Sequence, residues 1–288
     1  MPLNKDCLGR TYQAPARIVT VEEGLAYAQA TMDPTPAVLK GEVLPPVFAV
    51  NPLIDVAMKV CRDPELGVDL VRLVHGEEDM RFHRTIRPGE TVRPETTVIG
   101  VQSKSSGELL LLEHRLLVEE EIVVTSRSSY FIRAPKTDDR VQSTSTTSKA
   151  PKAKTPKRPE QQGTPLFSTE TSIAADQPLL YAEASRDRNP IHTDEAFARK
   201  AGLPGCILHG LCTMAIAAHH VINHAADGDP TRLARISVRF SALVLPEDTL
   251  RIEAFASAPK PGVTTLGLKV QNQEGRNVLT KARAEIRS

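Results

Sequence analysis

Tryptophan is missing from these 288 residues, an absence that excludes no function. Other gaps exclude more. No apolar run approaches the roughly 20 residues that cross a bilayer as a helix, so no membrane span is expected. The opening MPLNKDCLGR lacks the apolar centre of a secretory signal. There is no excess of charge. The 36 Lys and Arg stand against 35 Asp and Glu, for a formal net charge of +1, which argues against nucleic acid or another polyanion as the partner. Cysteine is scarce and unpatterned: Cys7, Cys61, Cys206 and Cys212 show no CxxC spacing. Free thiols in a reducing cytoplasm are expected, with a eukaryotic organelle left open. GxSxG and HExxH are both missing, which removes familiar hydrolase and zinc signatures. Neither a metal nor a cofactor is expected.

What is present falls into an order. Residues 1 to about 17 read as a poorly structured lead-in. Thr20 can cap a helix whose first turn holds Glu22 and Glu23 and which continues through GLAYAQA. The apolar run VFAVNPLIDVAMKV at 47–60 predicts a longer buried helix behind Asn51-Pro52. From Leu70 the chain turns to strands: RLVHGEEDMRFHRTI, TVRPETTVIGVQSK, ELLLLEHRLLVEEE and IVVTSRSSYFI, parted by Gly, Pro and Ser. Residues 134–163 are rich in Ser, Thr, Pro and Lys and almost free of apolar residues. They cannot bury enough surface to offset their ordering entropy, so a disordered, solvated linker is expected. Beyond it the order recurs. A strand FSTETSIA, a short helix to Ser185 and a helix from Gly210 precede RISVRFSALV, TLRIEAFASA, TTLGLKVQNQ and NVLTKARAEI. The turn Gln273-Glu274-Gly275-Arg276 joins the last two as a hairpin. Helices followed by antiparallel strands, twice, is an α+β order.

The halves also resemble one another residue by residue. YAQATMDPTP at 27–36 lines up with YAEASRDRNP at 181–190, and MRFHRTIRPGETVRPE at 80–95 with VRFSALVLPEDTLRIE at 238–253. A period this long is a duplicated domain, not a solenoid. The copies are unequal. Asp33 matches Asp187, but Thr35 stands opposite Asn189 and Val38 opposite His192. Without a gap, Val56 falls opposite Gly210.

The second copy therefore carries the chemistry. Asp187, Asn189 and His192 lie within six residues around the break at Asn189-Pro190, where proline favours an extended predecessor. His209-Gly210 then opens an apolar run, LCTMAIAAHHVI. A helix beginning there presents unpaired N–H groups and the positive end of its dipole. An acid, a base and an anion-stabilising end suit proton transfer beside a carbonyl. His220 and His224, four apart, lack a third ligand and read as a polar helix face. Arg239, in the duplicated Arg-Phe pattern, reads as structural.

The run Ser185-Arg186-Asp187-Arg188-Asn189-Pro190-Ile191-His192, with the later His209-Gly210, resembles the hydratase-2 signature of the MaoC-like dehydratases. Arg186 stands where that pattern has Gly. The resemblance implies an α+β double hotdog, two repeats each wrapping a sheet around a long helix. It divides the chain into a degenerate N-terminal repeat (1–133), the linker (134–163) and a catalytic C-terminal repeat (164–288). It further implies reversible syn hydration of trans-2-enoyl-CoA to a (3R)-3-hydroxyacyl thioester by Asp187 and His192. Asn189 would fix the turn, and Gly210 N–H would serve as the oxyanion donor. His209 is expected near the substrate, and Val56 and Met58 along an acyl-tail pocket in the first repeat. The partner expected is an acyl-CoA thioester, with a homodimer open. The rival readings are a dehydratase acting on acyl-carrier-protein thioesters and a non-catalytic acyl-thioester-binding protein.

Overall fold

A computed structural model describes residues 2–135, 163–257 and 261–288. The expected linker lies almost wholly outside the described residues.

The chain opens with two short strands, β1 (Thr11–Gln13) and β2 (Arg17–Ile18), and then three helices, α1 (Val21–Ala30), α2 (Pro36–Leu39) and α3 (Val50–Cys61). Four strands follow: β3 (Leu73–Phe82), β4 (Thr91–Lys104), β5 (Gly107–Val118) and β6 (Glu121–Arg133). The second half repeats the plan with β7 (Phe167–Ser172), α4 (Gln177–Ser185), α5 (Pro190–Thr193), α6 (Glu195–Lys200) and α7 (Gly210–Ala225). It ends in β8 (Leu233–Phe240), β9 (Thr249–Ala256), β10 (Val263–Gln271) and β11 (Asn277–Arg287). This is the α+β double-hotdog arrangement. Among the described residues, 11 strands form one antiparallel sheet in the order β1-β4-β5-β6-β3-β8-β11-β10-β9-β7, with β2 also on β4.

Reading that order from both ends exposes a pseudo-twofold between β3 and β8. The register there pairs Asp79 with Ser237, Met80 with Ile236 and Glu78 with Val238. The Arg-Phe strands of the two copies are offset by 158 residues, so Asp79 pairs with its own counterpart. Two arginines clamp the junction. Arg235 holds Asp79 through both carboxylate oxygens at 2.7 and 2.6 Å, and Arg239 reaches Glu77 at 2.6 Å. The structural reading of Arg239 is thus what the geometry gives. On the helical side, Tyr27 of α1 and Tyr181 of α4 meet at the same axis with hydroxyls 3.1 Å apart. One apolar core, drawing on α3, α7 and the inner sheet face, runs through both halves.

The lead-in is ordered, against expectation. Leu3 and Cys7 are buried, β1 pairs with β4 at Thr11↔Thr97, and the Tyr12 hydroxyl donates to Asp63 at 2.6 Å. Pro15 divides its alternating pattern into pieces too short to read as strands. The α1 start is as expected: the Thr20 side chain accepts from Glu23 N–H and the Glu23 carboxylate from Thr20 N–H. Helix α3 begins at Val50, so Asn51 and Pro52 sit inside its first turn rather than before it. The ungapped pairing of Val56 with Gly210 does not hold. The aspartates are offset by 154 residues and the Arg-Phe strands by 158, so extra residues fall between them in the second copy. Val56 lies in mid-helix, whereas Gly210 begins one.

Candidate active site

The motif turn is built by short side chains bonding to their own backbone. At the end of α4, Ser185 Oγ donates to Tyr181 O at 2.7 Å and accepts from Asp187 N–H at 3.2 Å. Arg186 sits left-handed at φ 67, the conformation that glycine adopts without penalty. Asp187 Oδ1 accepts from Asn189 N–H, and Asn189 Oδ1 from Ile191 N–H, each at 3.3 Å. Asn189 is therefore the cap of α5, with Pro190 at its first position, and its side-chain oxygen is engaged in the turn.

Helix α5 carries His192 inward until it is 8 % exposed. Its Nδ1 lies 2.7 Å from Ile207 O. A carbonyl only accepts, so Nδ1 carries the proton and Nε2 keeps a bare lone pair. Burial lowers the His192 pKa, while the Ile207 carbonyl and the Asp187 charge work against that shift. The ring is neutral at pH 7. His209 lies flat against it, centroids 3.6 Å apart and planes 22° apart. Its Nε2–H donates to Asp187 O at 2.9 Å, while its Nδ1 is buried without a partner. Burial, then His192, hold His209 well below the usual imidazole range.

Asp187, His192 and His209 each place one ligand-type atom within 4.8 Å of the others. Two imidazoles and a carboxylate are the donor set of a transition metal. The ring geometry speaks against that use. A metal lies in the plane of each imidazole at about 2.0–2.1 Å, and two stacked planes share no such point. A bare Nε2 beside a half-buried carboxylate suits proton exchange through a bound water.

Gly210 is the first residue of the 16-residue α7, with His209 as its N-cap. Its N–H is one of the donors that the helix cannot use. A Cβ at Gly210 would come within 2.7 Å of Phe240 Cδ1, so glycine is required by the Phe240 ring lying on the helix start. The sequence reading asked for glycine to admit a ligand; the closest approach is the protein's own β8.

Of the other expected residues, His209 joins the cluster. Val56 is fully buried in the core, and Met58 is half-buried on α3. Neither lines the cavity beside Tyr27 and Asp33 or the one beside Asn51 and Arg186. Sequence reasoning missed a contribution from the first half. His75 stacks on Tyr130 at 4.7 Å and meets Phe240 edge-on at 5.0 Å, so β3 and β6 reach the Gly210 helix start. Behind His75, the buried Glu78 accepts from its Nε2 at 2.9 Å and from Ser128 at 2.6 Å. Ser128 in turn bonds His114. The signal was HGEEDMRF, whose alternation puts the acidic Glu78 on the same buried face as Met80 and Phe82. His220 bonds Thr171 at 2.7 Å, as a polar helix face should.

The chain is similar to known proteins in both of its halves. Residues 155–277 match the MaoC like domain, and residues 7–126 match the FAS1-like, dehydratase domain region. The peroxisomal enzyme named enoyl-CoA hydratase 2 from Arabidopsis thaliana is 32% identical over 194 residues, covering 66% of this chain and 62% of the relative. The match thus spans under two thirds of that relative's length. A solved MaoC-like dehydratase superposes with TM-score 0.81 at 20% identity, covering 98% of each chain. A hypothetical protein from Mycobacterium tuberculosis, described as having a double hotdog fold, does so at 0.66 and 16%, covering 99% of this chain and 98% of that one. At such identities the structural likeness is one of fold.

Proposed function

This chain belongs to the MaoC-like dehydratase family, and from that membership we propose that it is an (R)-specific 2-enoyl-CoA hydratase, equally a (3R)-3-hydroxyacyl-thioester dehydratase in reverse. The observation that carries the reading is the convergence of Asp187 and His192, within 4.8 Å, beside the α7 start. A water held between the Asp187 carboxylate and His192 Nε2 attacks C3 of the enoyl thioester. One of the two side chains takes a proton from that water as its oxygen bonds to C3, and the pair hands that same proton on to C2, so that the water supplies both the hydroxyl and the hydrogen. Both act from one face, which makes the addition syn; the (3R) configuration is the one that the hydratase-2 resemblance implies. Charge develops on the thioester oxygen between these events, and Gly210 N–H, at the positive end of α7, is the donor for it. Removal of water runs the same steps backwards.

The first half is, on this reading, the degenerate repeat. It closes the pocket through His75 and Tyr130 and leaves the acyl tail to be housed among its helices. The alternative carrier, acyl-carrier-protein, changes the handle of the substrate and not these residues. The cytoplasm is the compartment proposed from the sequence, and the peroxisomal name of the Arabidopsis relative favours an organelle matrix. Loss of the enone absorbance of crotonyl-CoA and of a longer trans-2-enoyl-CoA, followed by chiral analysis of product, tests the reading. A (3S) product, or unchanged absorbance with folded protein, defeats it in favour of a thioester-binding role.

A further inference from the structure

The sheet of the first half carries a chain of polar side chains across its buried face. Thr96, His114, Ser128 and Glu78 are all buried and stand on four neighbouring strands, β4, β5, β6 and β3. The direction of each bond follows from Glu78. Burial would raise its carboxyl, yet its partners hold it lowered, and an ionised carboxylate only accepts. Ser128 therefore donates to Glu78 Oε2 at 2.6 Å, Ser126 donates to the other oxygen, and His75 Nε2–H donates to Oε2 at 2.9 Å. With its proton committed to Glu78, Ser128 Oγ accepts from His114 Nε2–H at 2.9 Å. Burial lowers His114 to about 4, so its Nδ1 is bare at neutral pH and accepts from Thr96 at 2.7 Å.

The duplication supplies an internal comparison. The 158-residue offset of the Arg-Phe strands sets Ile236 opposite Glu78 and Ala254 opposite Thr96. Ser128 pairs with Glu78 as Ala284 pairs with Ile236, so Ala284 answers to Ser128. All three counterparts are apolar and fully buried. The same sheet face therefore folds without a polar chain in the second half. A buried carboxylate is costly even when it is bonded, and the fold alone does not call for this one.

The chain leaves the core at one end only, through His75. In a regular strand, His75 and Glu78 would point to opposite faces. The register slips between His75 and Glu77, and such a bulge re-aims a side chain, here onto the face of Glu78. The His75 side chain is 22% exposed. Its ring stacks on Tyr130 and meets Phe240 edge-on, and the Phe240 ring lies on the Gly210 start of α7. Tyr130 stands between the two sites of charge: burial pushes its phenol up, and Cys61, Glu78 and Asp187 add to that.

We propose that the Glu78 network makes His75 a positioning residue for hydration: the network fixes the His75 ring, His75 fixes Phe240, and Phe240 holds the α7 start so that Gly210 N–H meets the thioester oxygen. The inference rests on the hydratase reading above. It gives the first half, which has no acid–base pair of its own, a part in the chemistry of the second. An oxyanion donor acts by its aim at the position where charge develops, and small displacements of such a group are costly in rate.

Steady-state hydration of crotonyl-CoA by the full-length protein tests it, with a melting curve for each variant. Ser128→Ala installs the residue of the second half, and Glu78→Gln removes the charge that orients the donors. Glu78→Gln should lower kcat by about tenfold and Ser128→Ala by about threefold, short of the roughly 10²–10³ lost with an oxyanion donor itself. KM should stay within about twofold, because an interaction realised only in the transition state appears in kcat. A double-mutant cycle reads the route. His75→Leu and Phe240→Leu should each cost about tenfold in kcat, and together little more than the worse single variant, since both act on one N–H. This cycle leaves Glu78 in place and decides the matter if Glu78→Gln fails to fold. Wild-type kcat in folded Ser128→Ala and Glu78→Gln, a loss confined to KM, or fully additive losses at His75 and Phe240 would overturn the proposal and leave the network a feature of the core. If the wild type hydrates crotonyl-CoA and the variants match it, only the positioning role falls; if the wild type does not hydrate it, the hydratase reading falls as well.

Discussion

A histidine can take up a proton only at the nitrogen that carries none, and the Ile207 carbonyl decides which nitrogen of His192 that is. Asp187→Asn and His192→Ala should each lower turnover by about 10²–10⁴, the usual range for a general acid or base. The double variant should lose little more than the worse single one, because the pair acts on one water. Steady-state hydration kinetics check both statements, and near-wild-type turnover in folded Asp187→Asn would move the site elsewhere. The pH profile follows from the same environment. The folded-state pKa of His192 lies below the ordinary imidazole value of 6.5. The neutral base therefore persists as pH falls past 6.5, and kcat/KM should decline only at lower pH. A decline centred at or above 6.5 contradicts this. At this scale the motif residues were legible because Asp, Asn and His follow one another along a single turn. His75 and Tyr130 were not, because their meaning depends on which strand of the other half lies beside them.

Elements were read well where a local rule governs them. The Thr20–Glu23 capping box marks the start of α1 in the sequence and in the fold alike. The strand alternation of TVRPETTVIGVQSK is β4 itself. The lead-in escaped notice because β1 and β2 owe their existence to pairing with β4, a partner about 80 residues away, rather than to their own pattern. The end of α4 shows a local rule broken at a tolerable cost. Arg186 occupies left-handed backbone at φ 67, which costs an ordinary residue about 1–2 kcal/mol. Its compensation is a 2.9 Å ion pair with Asp55 whose two side chains are 42% and 46% exposed. Such pairs contribute about 0–1 kcal/mol. Strain outweighs the pair, so Arg186→Gly should stabilise the fold by about 1 kcal/mol. Urea denaturation measures it, and a destabilised variant would mean that the ion pair, or the backbone freedom of glycine in the unfolded chain, had been underrated.

At the scale of the molecule, the duplication was legible as sequence, but the single sheet it makes was not. That sheet depends on β3 meeting β8 edge to edge, and nothing in either strand alone names its partner. Since the halves join there, residues 134–163 need only connect them. Deleting about 20 residues within 138–160 should leave melting and turnover nearly unchanged, because loop length enters stability only logarithmically; lost activity in a folded deletion variant would give that stretch a role in substrate handling. The last expectation concerns acid. His114 and His219 are lowered to about 4 and His220 to about 3, chiefly by burial. In the unfolded chain each returns to about 6.5. Between those values the unfolded state binds more protons than the folded one, so stability falls as pH falls. Above 6.5 neither state is protonated and these groups add no slope. The melting temperature should therefore change little between pH 8 and pH 6.5 on their account, then drop progressively toward pH 4. The buried Glu78 pushes in the same direction: burial would raise its carboxyl, but His75, His114 and Ser126 hold it lowered, so protonating it in acid also favours unfolding. Calorimetric melts across that range decide the point. His114 bonds Thr96 and Ser128 inside the first half, and His219 is buried on α7 of the second. A His219→Leu variant should thus retain part of the acid sensitivity and lose part of it. If the melting temperature of the wild type stays level down to pH 4, these imidazoles are not held neutral by burial.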